Sequence, residues 1–312
     1  MAGNPVLTQA QCLVPSGDRC GEGILWHAPS EAIYWTDINR FLVHRYILSK
    51  RTVESWFFDE PVTAVVETRE DSILLIVLGS GPILWSPETD RRKRLGFSLP
   101  GWPHVRLNDA AVDPRGSLWA GSMRNNVAPD GSSLEACGTD GILFRIDPDG
   151  VVREYLRDIG ISNTLVWSPD HATFYFADSL RNRIRAYDFD ISSGEIANER
   201  EFFEGFSRGA PDGSAIDSEG FIWNCRYGGG CVVRIDPSGS VDRILEVPTA
   251  NPTMCAFGGP ELKTLYITTA GADTGPGDRL AGGVFAAELN IQGLARNRFI
   301  LSEANLSALK AG

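Results

Sequence analysis

Six stretches of this chain share one character, and that repetition constrains the fold more than anything else in it. Ile33-Tyr-Trp-Thr-Asp37, Ile73-Leu-Leu-Ile-Val77, Leu118-Trp-Ala-Gly-Ser122, Phe174-Tyr-Phe-Ala-Asp178, Phe221-Ile-Trp-Asn-Cys225 and Leu265-Tyr-Ile-Thr-Thr269 are β-branched and aromatic runs ending in small or polar residues. Their starts lie 40, 45, 56, 47 and 44 residues apart. Each follows a cluster of turn residues, such as Asp113-Pro-Arg-Gly116 or Asp217-Ser-Glu-Gly220, which tolerate turn dihedrals or bond their own backbone. Each is followed by another strand, clearest at Gly141-Ile-Leu-Phe-Arg-Ile146 and Cys231-Val-Val-Arg-Ile235. Repeats of roughly 40 to 50 residues with several strands apiece are the pattern of propeller blades, whose sheets bury their faces against one another. The sequence therefore predicts an all-β fold, a six-bladed β-propeller, with residues 1–312 as a single domain. A sandwich or a pair of barrels leaves a period across the whole chain unexplained. Residues 6–14 or residues 299–306 are the candidates for closing the ring.

Composition agrees with a large globular core: 43% of the residues are hydrophobic and 22% charged. The net charge is −11 and the basic residues are scattered apart from Arg91, Arg92, Lys93 and Arg94, expected in a solvated turn, so nucleic acid is not an expected partner. The longest apolar run, residues 73–78, is far short of the roughly 20 residues a membrane helix needs, so no membrane is expected either. The start, MAGNPVLTQAQC, has neither a basic nor an apolar signal region, which predicts a soluble cytoplasmic protein. The six cysteines show no metal or disulfide spacing and read as reduced thiols; Cys20 stands two residues before a candidate ligand.

If the six runs are second strands, the strand ahead of each turn lines the axis. About ten residues upstream of the runs lie Glu22, Thr63, Asn108, Asn163, Asp212 and the stretch Thr253-Met254-Cys255. Four of these six places carry carboxylate or carboxamide oxygens, and equivalent places in a ring of blades converge at one end of the channel. Two carboxylates brought together repel unless a proton or a cation compensates. Oxygen donors without histidine or thiolate favour Ca²⁺, Mg²⁺ or Mn²⁺ over a structural zinc. A turn or cap role accounts for Glu22, Asn163 or Asp212 singly, but not for their matching placement. Arg106 and Asn108 point to one side of their strand, where a guanidinium holds a carbonyl or hydroxyl oxygen or pairs with a channel carboxylate. His104 shares that side; Asp109 is expected to face the other way and brace the backbone.

Gly21-Glu22-Gly23 with Trp26, Trp35-Thr-Asp-Ile38, Arg106-Leu-Asn-Asp-Ala-Ala-Val-Asp113, Gly121-Ser-Met123, Ile161-Ser-Asn163 with Trp167-Ser-Pro-Asp170, Pro211-Asp-Gly213 and Phe257-Gly-Gly-Pro260 together resemble the senescence marker protein/gluconolactonase family, which includes regucalcin and the bacterial sugar lactonases. The resemblance covers nearly the whole chain and implies a six-bladed propeller. It also implies one divalent metal ion on Glu22, Asn163 and Asp212, and substrate contacts from Arg106 and Asn108. Related channels accept several ions, so Ca²⁺, Mn²⁺, Zn²⁺ and Fe²⁺ are the candidates. Ile24 departs from the family's usual Pro and Thr164 from its usual Gly, and the loop 124–140 aligns poorly enough that no residue is transferred from it.

The implied activity is metal-dependent hydrolysis of a sugar (aldono-)lactone to the aldonic acid in carbohydrate catabolism. Asp212 acts there as general base or as a ligand alone, and Arg106 and Asn108 orient the sugar and stabilise the oxyanion. Two alternatives stand beside it. One is an organophosphate or aryl ester hydrolase on the same scaffold, which an apolar channel rim favours; the other is a calcium-binding regulator or docking scaffold.

Overall fold

A computed structural model describes residues 8–310 except residue 273. The expected six-bladed β-propeller is present: six antiparallel sheets follow one another along the chain. The first strands are Gly21–His27, Val62–Glu67, Val105–Val112, Ser162–Trp167, Ala210–Ile216 and Pro252–Gly258. The second strands are Ala32–Asp37, Leu74–Leu78, Leu118–Arg124, Thr173–Asp178, Ile222–Tyr227 and Thr264–Thr269, so all six repeated runs fall on the second strand of a blade. Those strands are apolar on both faces because both are covered, whereas outer strands such as Thr52–Phe57 alternate half-buried and exposed residues.

What holds the ring is a separate apolar cluster at every junction between neighbouring blades. Leu25, Tyr34, Val65 and Trp85 join blades 1 and 2; Val66, Val77, Leu107 and Phe144 join blades 2 and 3; Trp119, Trp167 and Phe174 join blades 3 and 4. Val166, Ala186, Ile222 and Val233 continue the series, followed by Trp223, Cys255 and Phe257 and finally by Ile24, Trp35, Met254 and Tyr266, which return to blade 1.

Closure comes from the N-terminal side. Gln11–Val14 pairs antiparallel with Val284–Glu288 and supplies the outer strand of blade 6, while Thr8–Gln9 adds a parallel strand to blade 5. Val6 and Leu7 of the expected closing segment lie outside the described residues. The other candidate, residues 299–306, joins no blade: Phe299 makes an isolated bridge to Thr68 and Glu303–Lys310 is a helix. Residues 292–300 instead cross the face of the ring remote from Glu22, bonding in turn to Ser218, Leu262, Ile216, Val112, Glu67 and Gly116. The basic cluster is not a turn either. Arg91–Arg94 is the outer edge strand of blade 2, where a row of like charges discourages pairing with another chain.

Candidate functional site at the channel mouth

Every first strand is bulged, and every bulge falls at the place the repeat picks out. The register with the second strand slips by one residue between Glu22 and Leu25, Val62 and Ala64, Leu107 and Ala110, Asn163 and Val166, Pro211 and Ser214, and Pro252 and Cys255. A bulge bends its strand and re-aims the side chains beside it. Six bulges at one level thus re-aim the side chains at and within them, with Glu22 and Asn163 at the leading edge of their bulges and Asn108 and Asp212 inside theirs.

Five candidate residues come together there. Asn108 Nδ2 donates to the Ser162 carbonyl at 2.9 Å and lies 3.4 Å from Asn163 Oδ1. Asn163 donates to Ser179 Oγ at 2.8 Å and also hydrogen-bonds the Asp212 carboxylate; Ser179 Oγ in turn donates to the Pro211 carbonyl at 2.6 Å. Glu22 accepts the Gly23 N–H at 2.8 Å. Burial is the main force on both carboxyls and pushes each well above its usual range; Asp212 adds to the effect on Glu22, and Asp109 adds to it on both. The chemistry of this donor set fits a hard cation: two carboxylates and a carboxamide converge where nothing but burial and repulsion acts against their charges.

Arg106 is buried beside them, and burial pulls its guanidinium down to about 10. No ion pair engages it among the described residues. Its Nη1 donates to Asn108 Oδ1 at 2.6 Å and to the Leu107 carbonyl at 3.0 Å, and its Nε and Nη2 donate to Asn126 Oδ1 at 3.1 and 2.7 Å. Of a guanidinium's five N–H donors, one on Nη2 is left for a ligand.

Two residues, Asp109 and His104, answer differently from the sequence reading. Asp109 does brace the backbone, accepting the Ala110 N–H at 2.8 Å, but the bulge breaks the strict alternation, and its charge acts on Glu22 and Asp212 instead of facing away. Its Oδ2 is buried without a hydrogen-bond partner, and burial raises the carboxyl to about 6. His104 does not join Arg106; it stays exposed ahead of the strand, in an outer groove with Trp102 and Asn125. Cys20 sits close enough to Glu22 and Asp212 to feel their charge, and burial first and those carboxylates second hold its thiol protonated.

Sequence reasoning missed two further residues. Asn126 lies in the loop from which nothing was transferred; that loop leaves blade 3 and docks on blade 1, where Asn39 Nδ2 donates to the Gly131 carbonyl at 2.9 Å. Arg296 comes from the segment crossing the far face, after the last repeat. It donates to the Cys255 carbonyl at 3.2 Å and helps close the lower channel, a cavity of about 100 Å³ walled by first-strand residues such as Val66, Leu165 and Ala215. Glu67 lines the same cavity, and burial pushes its carboxyl from the ordinary 4.5 up to about 7. The folded chain therefore keeps a proton there that the unfolded chain loses near pH 4.5. Stability from this group is fullest at and below that pH and is lost as pH rises toward 7. Glu67→Gln should remove a loss of about 1–2 kcal/mol between pH 5 and pH 8, allowing for solvent screening, in urea unfolding at the two pH values.

The chain has recognisable relatives. Residues 20–271 match the SMP-30/Gluconolactonase/LRE-like region. The chain is 33% identical over 295 residues to pentonolactonase XacC of Haloferax volcanii, covering 92% of this chain and 95% of that protein. It is 33% identical over 295 residues to 6-deoxy-6-sulfogluconolactonase of Pseudomonas putida, covering 93% and 98%, and 32% identical over 303 residues to human regucalcin, covering 91% and 96%. A solved structure described as a calcium-binding protein, regucalcin, from Agrobacterium tumefaciens superposes with a TM-score of 0.86 at 27% identity, covering 96% of this chain and 99% of that one. On the family match and these relatives, the chain belongs to the SMP-30/gluconolactonase/LRE-like family.

Proposed function

We propose that this chain, as one six-bladed domain, is a metal-dependent sugar lactonase that opens an aldono-lactone to its aldonic acid in carbohydrate catabolism. The observation that carries the reading is the convergence of Glu22, Asn163 and Asp212 on one end of the channel, with Arg106 and Asn108 hydrogen-bonded to each other beside them. Relatives named as lactonases of pentono- and sulfoglucono-lactones support the substrate class. Glu22, Asn163 and Asp212 would hold one divalent cation, with Ca²⁺, Mn²⁺, Zn²⁺ and Fe²⁺ as candidates; bound there, it supplies Lewis-acid polarisation of the ring carbonyl.

The chain's own residues do the rest. The free Nη2 donor of Arg106 takes a ring hydroxyl or the carbonyl oxygen, and Asn126 and Asn108 fix the plane of that guanidinium. Asp212 accepts a proton from water as the water oxygen bonds to the carbonyl carbon. That proton passes to the ring oxygen when the ring C–O bond breaks, leaving a hydroxy acid. We place the protein in the cytoplasm on its six unpaired cysteines; no helix among the described residues is long and apolar enough to cross a membrane.

A panel of glucono-, galactono-, xylono- and arabinono-lactones, followed by proton release in weak buffer before and after chelation with the four ions added back, tests the reading. Metal-restored opening above the spontaneous rate is the expected result; no opening on any sugar would overturn it. One observation favours a second substrate class. Leu134, Leu180 and Leu280 are exposed on segments that follow the second strands of blades 3, 4 and 6, and exposed Tyr227 ends the second strand of blade 5, at the mouth end. Such an apolar rim suits aryl esters or organophosphates, so an aryl acetate belongs in the same panel. Metal binding without turnover on any of these would point to a calcium-binding regulator.

A further inference from the structure

Blades 1 and 4 solve the same backbone problem in different ways. In each, the residue directly after the channel-facing oxygen donor is left-handed: Gly23 follows Glu22 with φ 56°, and Thr164 follows Asn163 with φ 53°. Glycine takes that conformation without steric strain, whereas a β-branched residue is strained there. A side chain at Gly23 has no room, since a Cβ there would stand 2.8 Å from Ala64 Cα. At position 164 there is room, and the chain fills it with a residue that opposes the backbone shape.

The threonine is wholly buried, and its hydroxyl lies within bonding distance of three groups, all from blade 5. It donates to the Asp212 carbonyl at 2.6 Å, lies 2.9 Å from Ser214 Oγ and is 3.3 Å from Asn224 Nδ2. Asn224 Nδ2 reaches the same Asp212 carbonyl at 3.0 Å and Ser214 Oγ at 3.0 Å, and Arg226 Nη1 fixes Asn224 from behind at 3.2 Å. The Asp212 peptide is thus clamped from both sides, by its own blade and by the residue next to Asn163.

We infer that Thr164 is a positioning residue for Asp212. Its hydroxyl ties the Asp212 backbone to the Asn163 bulge across the junction of blades 4 and 5, so that the two oxygen donors keep a fixed spacing. This rests on the reading of Glu22, Asn163 and Asp212 as a cation site. A residue that only filled space would be replaced by valine, of the same shape, with no change at the site. A positioning hydroxyl makes valine harmful and serine harmless.

The test compares Thr164→Ser, Thr164→Val and Thr164→Gly in the full chain, with Ca²⁺ titrated calorimetrically into chelated protein, kcat and KM measured on the best lactone, and melting followed without metal. Groups that orient ligands typically contribute tenfold to a hundredfold in metal affinity. Thr164→Ser should stay within about twofold of the parent. Thr164→Val and Thr164→Gly should bind Ca²⁺ about tenfold more weakly and lose kcat with little change in KM, and the glycine variant, freed of strain, should melt within a few degrees of the parent. Valine matching the parent in Ca²⁺ affinity, or serine falling as far as glycine, overturns the positioning role alone. A parent chain that binds no divalent cation overturns the site reading and this role with it.

Discussion

Asp212→Asn should cut kcat/KM for lactone opening by at least about 10³, while raising the melting temperature of the metal-free protein. Both halves come from the same arrangement. The Asp212 carboxyl is buried with Glu22 and Asp109 acting in concert, and its own carboxyl range is driven up by that burial and by Asp109. Without a cation, removing one of the like charges relieves the fold. The relief should be larger at pH 8 than at pH 5, because a carboxyl raised in the folded chain costs progressively more stability as pH climbs above its ordinary range. With a cation, the same change deletes a charged ligand and the proposed base together, and several kcal/mol of transition-state stabilisation correspond to three or more powers of ten. Glu22→Gln separates the two roles. If Asp212 is base as well as ligand, saturating Ca²⁺ should restore much of the activity of Glu22→Gln and little of Asp212→Asn. Equal recovery of both would leave Asp212 as a ligand alone, and unchanged turnover in Asp212→Asn would remove it from the site.

The repeat was legible because each blade spends its apolar residues on the same strand. A run such as Leu118-Trp-Ala-Gly is apolar on both faces only if both are covered, and six such runs at one period demand six equivalent environments. Counting upstream from them reached Glu22, Asn108, Asn163 and Asp212 because the bulges share one level. The same bulges defeated finer reading. Strict alternation put Asp109 opposite Asn108, yet one extra residue between Leu107 and Ala110 rotates the strand locally and leaves both close to the site. Alternation carries no signal for an inserted residue.

Asn126 and Arg296 escaped for another reason: both lie outside the repeat. The loop 124–140 has no periodicity, and its position follows from docking on Asn39 in blade 1. Residues 292–300 are held chiefly by backbone bonds to four different blades, which no side-chain pattern records. Ring closure was underdetermined for the same cause, since both termini offered a plausible apolar strand and only the pairing of Gln11–Val14 with Val284–Glu288 decides between them.

Asp217→Ala should cost about 3–5 kcal/mol of stability, the largest effect expected from any single change away from the channel mouth. Asp217 is fully buried at the turn between the first two strands of blade 5. One of its oxygens accepts the N–H groups of Glu219 and Phe221, each at 3.0 Å, which closes the turn. The other accepts the Trp223 indole at 2.9 Å and pairs with Arg234 at 2.8 Å. Deleting it leaves a buried indole donor unpaired and strips a guanidinium that is 3% exposed of its most buried partner, although Glu219 and Asp242 still hold it. Blade 3 contains the natural control. Asp113 closes the same turn through Arg115 and Ser117 and accepts the Trp119 indole at 2.9 Å, but Arg145 in that blade pairs with Asp147 instead. Asp113→Ala should therefore cost less, about 2–3 kcal/mol, and the difference between the two variants in urea unfolding reads the worth of the buried Arg234 pair. Melting should fall by about 10 °C for Asp217→Ala. Equal losses in the two blades would mean that the turn and the indole carry all of the stabilisation and the guanidinium none.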